Sequence, residues 1–586
     1  MSPKFFSQSS LLSGVRDGFN NQPKQAHTVS PVALPQTVQT KAPSIDIVKL
    51  GDDLHHLILT ELLESCPSSL LALALVSRAL NAITTPYIYR TVTLKRHNPF
   101  DRKSRARLGS INLLERLKSE NENGVAKHVR HLRVEEFSSA DDLEKILGRF
   151  TKPCCKLTIG RWNTSTTVPP DVLSMLETKW PDAKLVVRDH LRHNEKGQTW
   201  DLDENLLRSP QLDILDIDIL TEGYGYGDKP CLSEWPQLSS LLRTGCRPRT
   251  LRIKIRAGYP VKIWRPRRRG PALYRDQDLP RLSLDQDTTL PPLKELSIIK
   301  VSGAGYYFDP AHSAMLAQSM DWSNLKKLDF GRDCPVSLFT QLIGRLPNLI
   351  SLRFGFPNTE INCDAVYRFI DALNSLEKLE IYNVAVQSTD IWTAIKKHRD
   401  TLKTLILHPS RLAYQQTKYV ELARLKDVVK YFKSLEHLGI EVPFEAQELS
   451  GDSKEMLNLR TLDLYIHLPS AATTFSADYQ PDVYGRVQVP SLEADSVVTQ
   501  LIAIADAISQ AQQENKNKQK TLRKKGGRPL ERLNVHFART GYSDRYQPYR
   551  VEAELQLVRS VRDDAESLGD KKWNVDGKLA WSNPHW

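Results

Sequence analysis

One spacing recurs along most of this chain and limits what it can fold into: apolar residues at relative positions 1, 4 and 6. The clear copies are Val129/Leu132/Val134, Leu212/Leu215/Ile217, Leu293/Leu296/Ile298, Leu325/Leu328/Phe330 and Leu349/Leu352/Phe354. They continue as Leu376/Leu379/Ile381, Leu402/Leu405/Leu407, Leu435/Leu438/Ile440, Leu459/Leu462/Leu464 and Leu530/Leu533/Val535. Cys154/Leu157/Ile159 and Pro248/Leu251/Ile253 are weaker copies. In the central run the first positions fall at 293, 325, 349, 376, 402, 435 and 459, steps of 32, 24, 27, 26, 33 and 24 residues. That step is the length of one strand–helix unit, so the expected fold class is α/β.

The intervals carry the helices. Leu338, Phe339, Leu342, Ile343 and Leu346 lie at helical spacing, as do Val366, Phe369, Ile370 and Leu373, and Ile391, Ala394 and Ile395. Each unit leaves its apolar edge open until the next is stacked on it. Strand, turn, helix and turn in this order resemble an irregular leucine-rich-repeat solenoid, predicted over 125–468. In that family the residues between the buried positions line the concave, target-holding face. Here they read His131/Arg133, Ile214/Asp216, Glu295/Ser297, Lys327/Asp329, Ser351/Arg353, Lys378/Glu380, Thr404/Ile406, His437/Gly439, Thr461/Asp463 and Arg532/Asn534. Both signs are mixed, whereas a phosphate-tracking surface is one-signed. The resemblance therefore implies a protein target, with Lys327, Asp329, Arg353, Lys378, Glu380 and His437 as candidate contacts.

Leu50–Leu94 is the other informative stretch. Leu54, Leu57, Ile58 and Leu62 share one helical face, and Asp52 and Asp53 favour the positive end of that helix. Pro67-Ser68-Ser69 breaks it, with hydroxyls available to cap a second helix at Leu70–Val76. That helix is apolar all round and must be buried or meet a partner. Pro86 predicts the end of a third helix by about Thr84. A helical cap on a larger domain is the plain reading.

The same stretch resembles an F-box, the adaptor motif of cullin–RING (SCF-type) ubiquitin ligases. The family's opening Leu-Pro-x-Glu-hydrophobic stands here as Leu50-Gly51-Asp52-Asp53-Leu54, and its hydrophobic-Ser-Arg signature as Val76-Ser77-Arg78. Thr85–Leu94 looks like the fungal form, with Tyr89 where others carry Trp. Gly51 replaces proline and Asp53 replaces glutamate, which loosens the start of the first helix. The resemblance implies docking to a Skp-type linker protein, and through it to a cullin, by Leu50, Leu54, Ile58, Leu62, Leu70, Leu73 and Val76.

The rest of the chain divides by composition. Residues 1–44 are rich in Ser, Gln, Asn and Pro and are expected to be disordered; the module takes 45–95 and a charged connector 96–124. Residues 469–528 read as an insertion with a helix at about Ser496–Asn515, and 529–586 as a last unit and cap with a helix at Val551–Ser567. The net charge of +12 matches two basic runs, KIWRPRRR at 262–269 and KNKQKTLRKKGGR at 516–528. They leave a second reading open, a nucleic-acid-associated or scaffold repeat protein.

No phosphate-binding loop, His-Glu-x-x-His or Gly-x-Ser-x-Gly is present. Asp213, Asp216 and Asp218 read as solvated strand residues, not a metal set. Seven cysteines without Cys-x-x-Cys make no disulfide framework. The expectation is a non-catalytic protein without cofactor, membrane span or signal peptide, placed in cytoplasm or nucleus.

Overall fold

The computed structural model describes residues 51–95, 112–117, 125–135, 140–148, 155–160, 168–190, 202–221, 223–224, 230–231, 234–245, 247–257 and 279–301. It further describes 305–357, 360–384, 389–409, 431–443, 458–467, 530–542, 548–559, 573–576 and single residues between 502 and 512. The chain is α/β and forms two compact units, the first holding residues to Asp218 with 244–248, the second holding 219–243 and 249 onward.

The first unit begins with three helices, α1 (Asp52–Ser65), α2 (Pro67–Val76) and α3 (Arg78–Ile88). Pro67 does not merely break α1; it occupies the first turn of α2, where its missing N–H costs nothing, and no side chain caps that helix. Ser77 caps α3 by accepting the Leu80 N–H at 3.1 Å. Contrary to expectation, α3 runs through Pro86 to Ile88. In the turn before it, the Thr84 and Thr85 hydroxyls donate back to the Leu80 and Asn81 carbonyls at 2.8 and 2.7 Å.

Strands β1 (Thr91–Lys95), β2 (His131–Glu135), β3 (Lys156–Gly160), β4 (Lys184–His190) and β5 (Leu212–Thr221) then pair in sequence order, all parallel. The helices α4 (Ala140–Gly148), α5 (Pro170–Lys179) and α6 (Glu204–Arg208) lie between them in sequence. Asp203 holds two loops together, accepting from Leu206 N at 3.1 Å and Val168 N at 2.8 Å. Asp216 and Asp218 are buried, not solvated as expected, because the alternation that puts them on one face puts them on a part of it that is covered. Strands β1 and β4 belong to no copy of the 1-4-6 spacing. Their first position is Tyr89 in one case and Asp182 in the other.

The second unit carries a two-residue ribbon of β6 (Gly223–Tyr224) and β7 (Pro230–Cys231), then α7 (Trp235–Thr244), whose last residue falls to the first unit. It continues with β8 (Thr250–Ala257), β9 (Glu295–Lys300), β10 (Lys327–Asp329), β11 (Ser351–Gly355), β12 (Lys378–Val384) and β13 (Thr404–Pro409). Strands β14 (His437–Pro443), β15 (Thr461–His467) and β16 (Arg532–Tyr542) follow, and each pairs in parallel with its predecessor. Helices α8 (Pro310–Gln318), α9 (Val336–Leu342), α10 (Glu360–Ala372) and α11 (Thr389–Lys396) alternate with the strands. The first, fourth and sixth residues of every copy from Leu293 to Leu530 are buried. Phe339 on α9 stacks on Phe369 of α10 at 4.4 Å between ring centres and meets Phe330 and Phe354 edge-on.

One backbone contact repeats along the second unit from Arg249 and at two steps of the first. The carbonyl of the residue after the first buried position accepts two consecutive N–H groups of the next unit. Lys294 takes Lys326 and Lys327; Lys326 takes Ile350 and Ser351; Ile350 takes Glu377 and Lys378; Glu377 takes Lys403 and Thr404. Lys403, Glu436 and Arg460 continue the series to Arg532, and Arg90 and Arg130 do the same in the first unit.

The end of the second unit differs from expectation. Pro548–Arg559 is a strand, β17, antiparallel to β16, and β18 (Trp573–Asp576) pairs with β17. Val551, Ala553, Leu555 and Leu557 alternate with polar residues, and a long neighbouring strand selects that period over the helical one. In the insertion, the described residues 502, 505, 506, 509, 510 and 512 are helical. Gln512 is buried, donating to the Leu459 carbonyl at 2.9 Å and accepting the Leu530 N–H at 2.6 Å. The basic runs lie outside the described residues. Among the described residues, no helix is long and apolar enough to cross a membrane.

Two glycines separate a hard steric limit from a soft one. A Cβ at Gly355 would collide with the Arg332 backbone carbonyl, whereas one at Gly439 would meet the Ile406 methyl at 2.7 Å. Urea unfolding should show Gly355→Ala losing about 1–3 kcal/mol, as overpacking costs, and Gly439→Ala losing less because a side chain can shift. Equal losses would contradict this account.

Candidate protein-interaction surfaces

The helical module has too little interior for its apolar residues. Its core holds His55, Leu59, Leu70, Leu80 and Thr84. Leu54, Leu57 and Ile58 on α1 are 50, 65 and 41% exposed, and Leu75 and Val76 at the end of α2 are 85 and 71% exposed. Full burial of each such side chain stabilises by about 1.5–3 kcal/mol, so these positions favour a partner. Of the expected docking residues, Leu54, Ile58 and Val76 are open and Leu62 and Leu73 half-buried. Leu50 lies outside the described residues. Leu70 is a correction: at 1% exposed it packs the module's own interior, because a helix apolar on every side buries whichever residue faces its neighbours. Leu57 and Leu75 are the most exposed positions that the motif match did not select. His56 Nδ1 and the Tyr87 hydroxyl, 3.0 Å apart, tie α1 to α3 beside this face.

The second surface is the outward row of the second unit. The register places Glu295, Lys327, Ser351, Lys378, Thr404, His437, Thr461 and Arg532 side by side on successive strands. Two residues on, Ser297, Asp329, Arg353, Glu380, Ile406, Gly439, Asp463 and Asn534 form a second row. Four of the six expected contacts are joined directly. Arg353 Nε lies 3.1 Å from Glu380 Oε1, Arg353 Nη1 3.5 Å from Asp329 Oδ2, and Lys378 Nζ 3.4 Å from Glu380 Oε2. His437 stands apart from them, with Nε2 2.7 Å from Asp463 Oδ2, whose other oxygen accepts from Asn534 at 2.6 Å. Lys327 is exposed on the row between Glu295 and Ser351.

Glu380 is the hub. Burial acts most strongly on it and would raise its pKa. The His408 and Tyr382 hydrogen bonds, at 3.1 and 2.7 Å, and the Arg353 and Lys378 charges together outweigh that and bring it down to about 2. Burial and the adjacent Glu380 push the Tyr382 phenol up to about 12, against the Arg353 guanidinium that donates to it. Burial also lowers His408 and raises Asp329, opposed by Glu380 in the first case and Arg353 in the second. Asp463 is pulled down: burial would raise it, but the His437 contact and the Asn534 hydrogen bond prevail. At neutral pH the network offers fixed charge and hydrogen-bonding edges.

A third row lies beyond these, and the sequence reading missed it. Tyr382 and His408 stack at 3.9 Å, His408 and Tyr465 approach at 5.0 Å, and Tyr465 stacks on His536 at 4.9 Å. Arg353 and Arg332 lie over the Tyr382 ring at 5.0 and 5.5 Å. The signal was available: each of these four rings directly follows the last buried position of its copy. Among the described residues, no group of three or more His, Cys, Asp or Glu side chains could hold a metal ion.

No protein-family model matches the chain, and no curated protein matches it.

The network has a pH signature. Glu380 has a lower pKa folded than its ordinary 4.5, so its contribution to stability is present above about 4.5 and is lost as pH falls toward about 2. Glu380→Gln should flatten this acid limb in unfolding measurements across that window and lower stability at pH 7. An unchanged acid limb would show that the carboxylate is not held as described.

Proposed function

We propose that this chain is a substrate-recognition adaptor subunit of a cullin–RING, SCF-type ubiquitin ligase. The α1–α3 module, read as an F-box, docks on a Skp-type linker protein and through it on a cullin. The strand–helix units, read as an irregular leucine-rich-repeat solenoid, hold a target protein on their outward rows, with Lys327, Asp329, Arg353, Lys378, Glu380 and His437 among the contacts. The subunit does no bond chemistry and needs no cofactor. It contributes proximity, raising the effective concentration of a target lysine near a charged conjugating enzyme. Such work takes place in cytoplasm or nucleus.

The observation that carries this reading is the open apolar surface of a module that also bears the motif residues: Leu54, Leu57 and Ile58 on α1, and Leu75 and Val76 beside Ser77-Arg78 on α2 and α3. The mixed, internally paired charge of the second unit's rows supports a protein target over nucleic acid.

The test is capture of a purified Skp-type linker by the full chain. Leu54→Asp/Ile58→Asp should abolish capture, because docking would bury two uncompensated carboxylates. Both positions are already exposed, so the thermal unfolding midpoint should hold within a few degrees. Capture retained by the folded double variant would defeat the assignment.

A further inference from the structure

Cys334 and Cys363 occupy matching places in two successive strand–helix repeats of the second unit. Cys334 stands between β10 and α9, and Cys363 lies near the start of α10. Strands β10 and β11 pair in register, and the helices that follow them pack side by side. The Phe339 and Phe369 rings, five residues after Cys334 and six after Cys363, stack at 4.4 Å. Similar steps back along the two chains bring both cysteines to one level. Two further contacts draw their segments together. The Gly355 N–H at the end of β11 donates to the Asp333 carbonyl at 2.9 Å, which holds the 332–334 turn against the strand leading into α10. Phe356, next along that chain, meets Tyr367 at 6.0 Å between ring centres, one helical turn beyond Cys363. Cys363 shares the inward face of α10 with the buried Val366 and Ile370. Both cysteines are half-buried. Burial first, then Cys363 and the adjacent Asp333, push the Cys334 thiol up to about 12.

We propose that Cys334 and Cys363 are an oxidation site, forming a reversible disulfide that staples α10 to the turn ahead of α9, with a peroxide as the oxidant. Cys363, near the positive end of a 13-residue helix, is the sulfur that attacks the peroxide. The O–O bond breaks, one oxygen stays on Cys363 as a sulfenic acid, and the other leaves as water. The Cys334 sulfur then displaces the sulfenic hydroxyl, which departs with the Cys334 proton as a second water, and the S–S bond closes. Two thiols and one peroxide become one disulfide and two waters; the sulfurs are oxidised and the peroxide oxygens reduced. Cys334 keeps its proton at neutral pH, so it does not compete for the peroxide and serves as the resolving partner. A dithiol reductant returns both thiols by exchange. In a reducing compartment such a bond is transient, as redox-sensing disulfides are. This assignment does not depend on the adaptor reading.

The experiment treats the folded full chain with hydrogen peroxide, blocks the remaining thiols with iodoacetamide, and maps the unreduced tryptic digest by mass spectrometry. The expected product joins the peptides 333–345 and 354–368, is two hydrogens lighter than their sum, and is lost on treatment with dithiothreitol. Cys334→Ser and Cys363→Ser should each abolish it. Cys66→Ser/Cys155→Ser, at two exposed positions of the first unit, should leave it unchanged. The oxidised chain should unfold about 5 °C above the reduced one, a shift that either single variant removes. Absence of the joined peptide from the oxidised wild-type chain, its formation only in urea, or an equal yield of Cys334 linked to Cys66 or Cys155 would overturn the proposal.

Discussion

The shared carbonyl at the head of most strands is the contact on which the rest depends. One oxygen accepting two successive N–H groups fixes where the next strand begins, and the buried triplet then follows with no freedom of register. Everything outside that turn can vary: steps of 24 and of 33 residues produce strands in the same alignment. The pattern is a backbone property and tolerates Lys, Ile, Glu or Arg at the accepting residue. In the second unit a buried residue stands just before it, and a strand follows. Because a parallel strand also needs both neighbours for its ladder, loss of one such turn strips pairing from two units at once.

With the backbone fixed in this way, the outward side chains are displayed as rows, and their chemistry is set by what lies one strand away. In the second unit carboxylates sit beside cations, and burial makes each partner necessary to the other. Burial works against ionisation of Glu380, and His408, Tyr382, Arg353 and Lys378 outweigh it. In the first unit His131, Lys156 and Lys184 share a row. A single backbone device thus displays rows of different composition. The helical module adds a third kind of surface, apolar and open, since three short helices cannot enclose their own hydrophobic residues.

Much of this was legible in the spacing of leucines. The triplets located β2, β3, β5 and β8 to β16, and the helical intervals located α9, α10 and α11. The outward pairs read from sequence share rows as expected. Strands β1 and β4 escaped because Tyr89 and Asp182 stand where an apolar first residue was sought. The last strands escaped for a different reason. Val551, Leu555 and Val558 fit a helix as well as Val551, Ala553, Leu555 and Leu557 fit a strand, and only pairing with β16 decides. Leu70 was misplaced because a helix apolar on all sides gives no hint of which side turns inward. The ring row stands on the residue after the last buried position, which the apolar spacing does not mark. That same seventh position is Gly355 earlier in the array, where the chain passes too close to a neighbour for a side chain, and Gly331, whose φ of 58° favours glycine.

A sheet that grows by adding like units has no built-in last member, and an unpaired parallel strand invites another chain to continue it. The hairpin of β16 and β17 reverses direction, β18 restores it, and this outermost described strand, Trp573–Asp576, is four residues long. A stranger would find little to copy there, since so short an edge offers few open hydrogen-bonding groups. The array is blunted at that edge by strand length and not by chain direction.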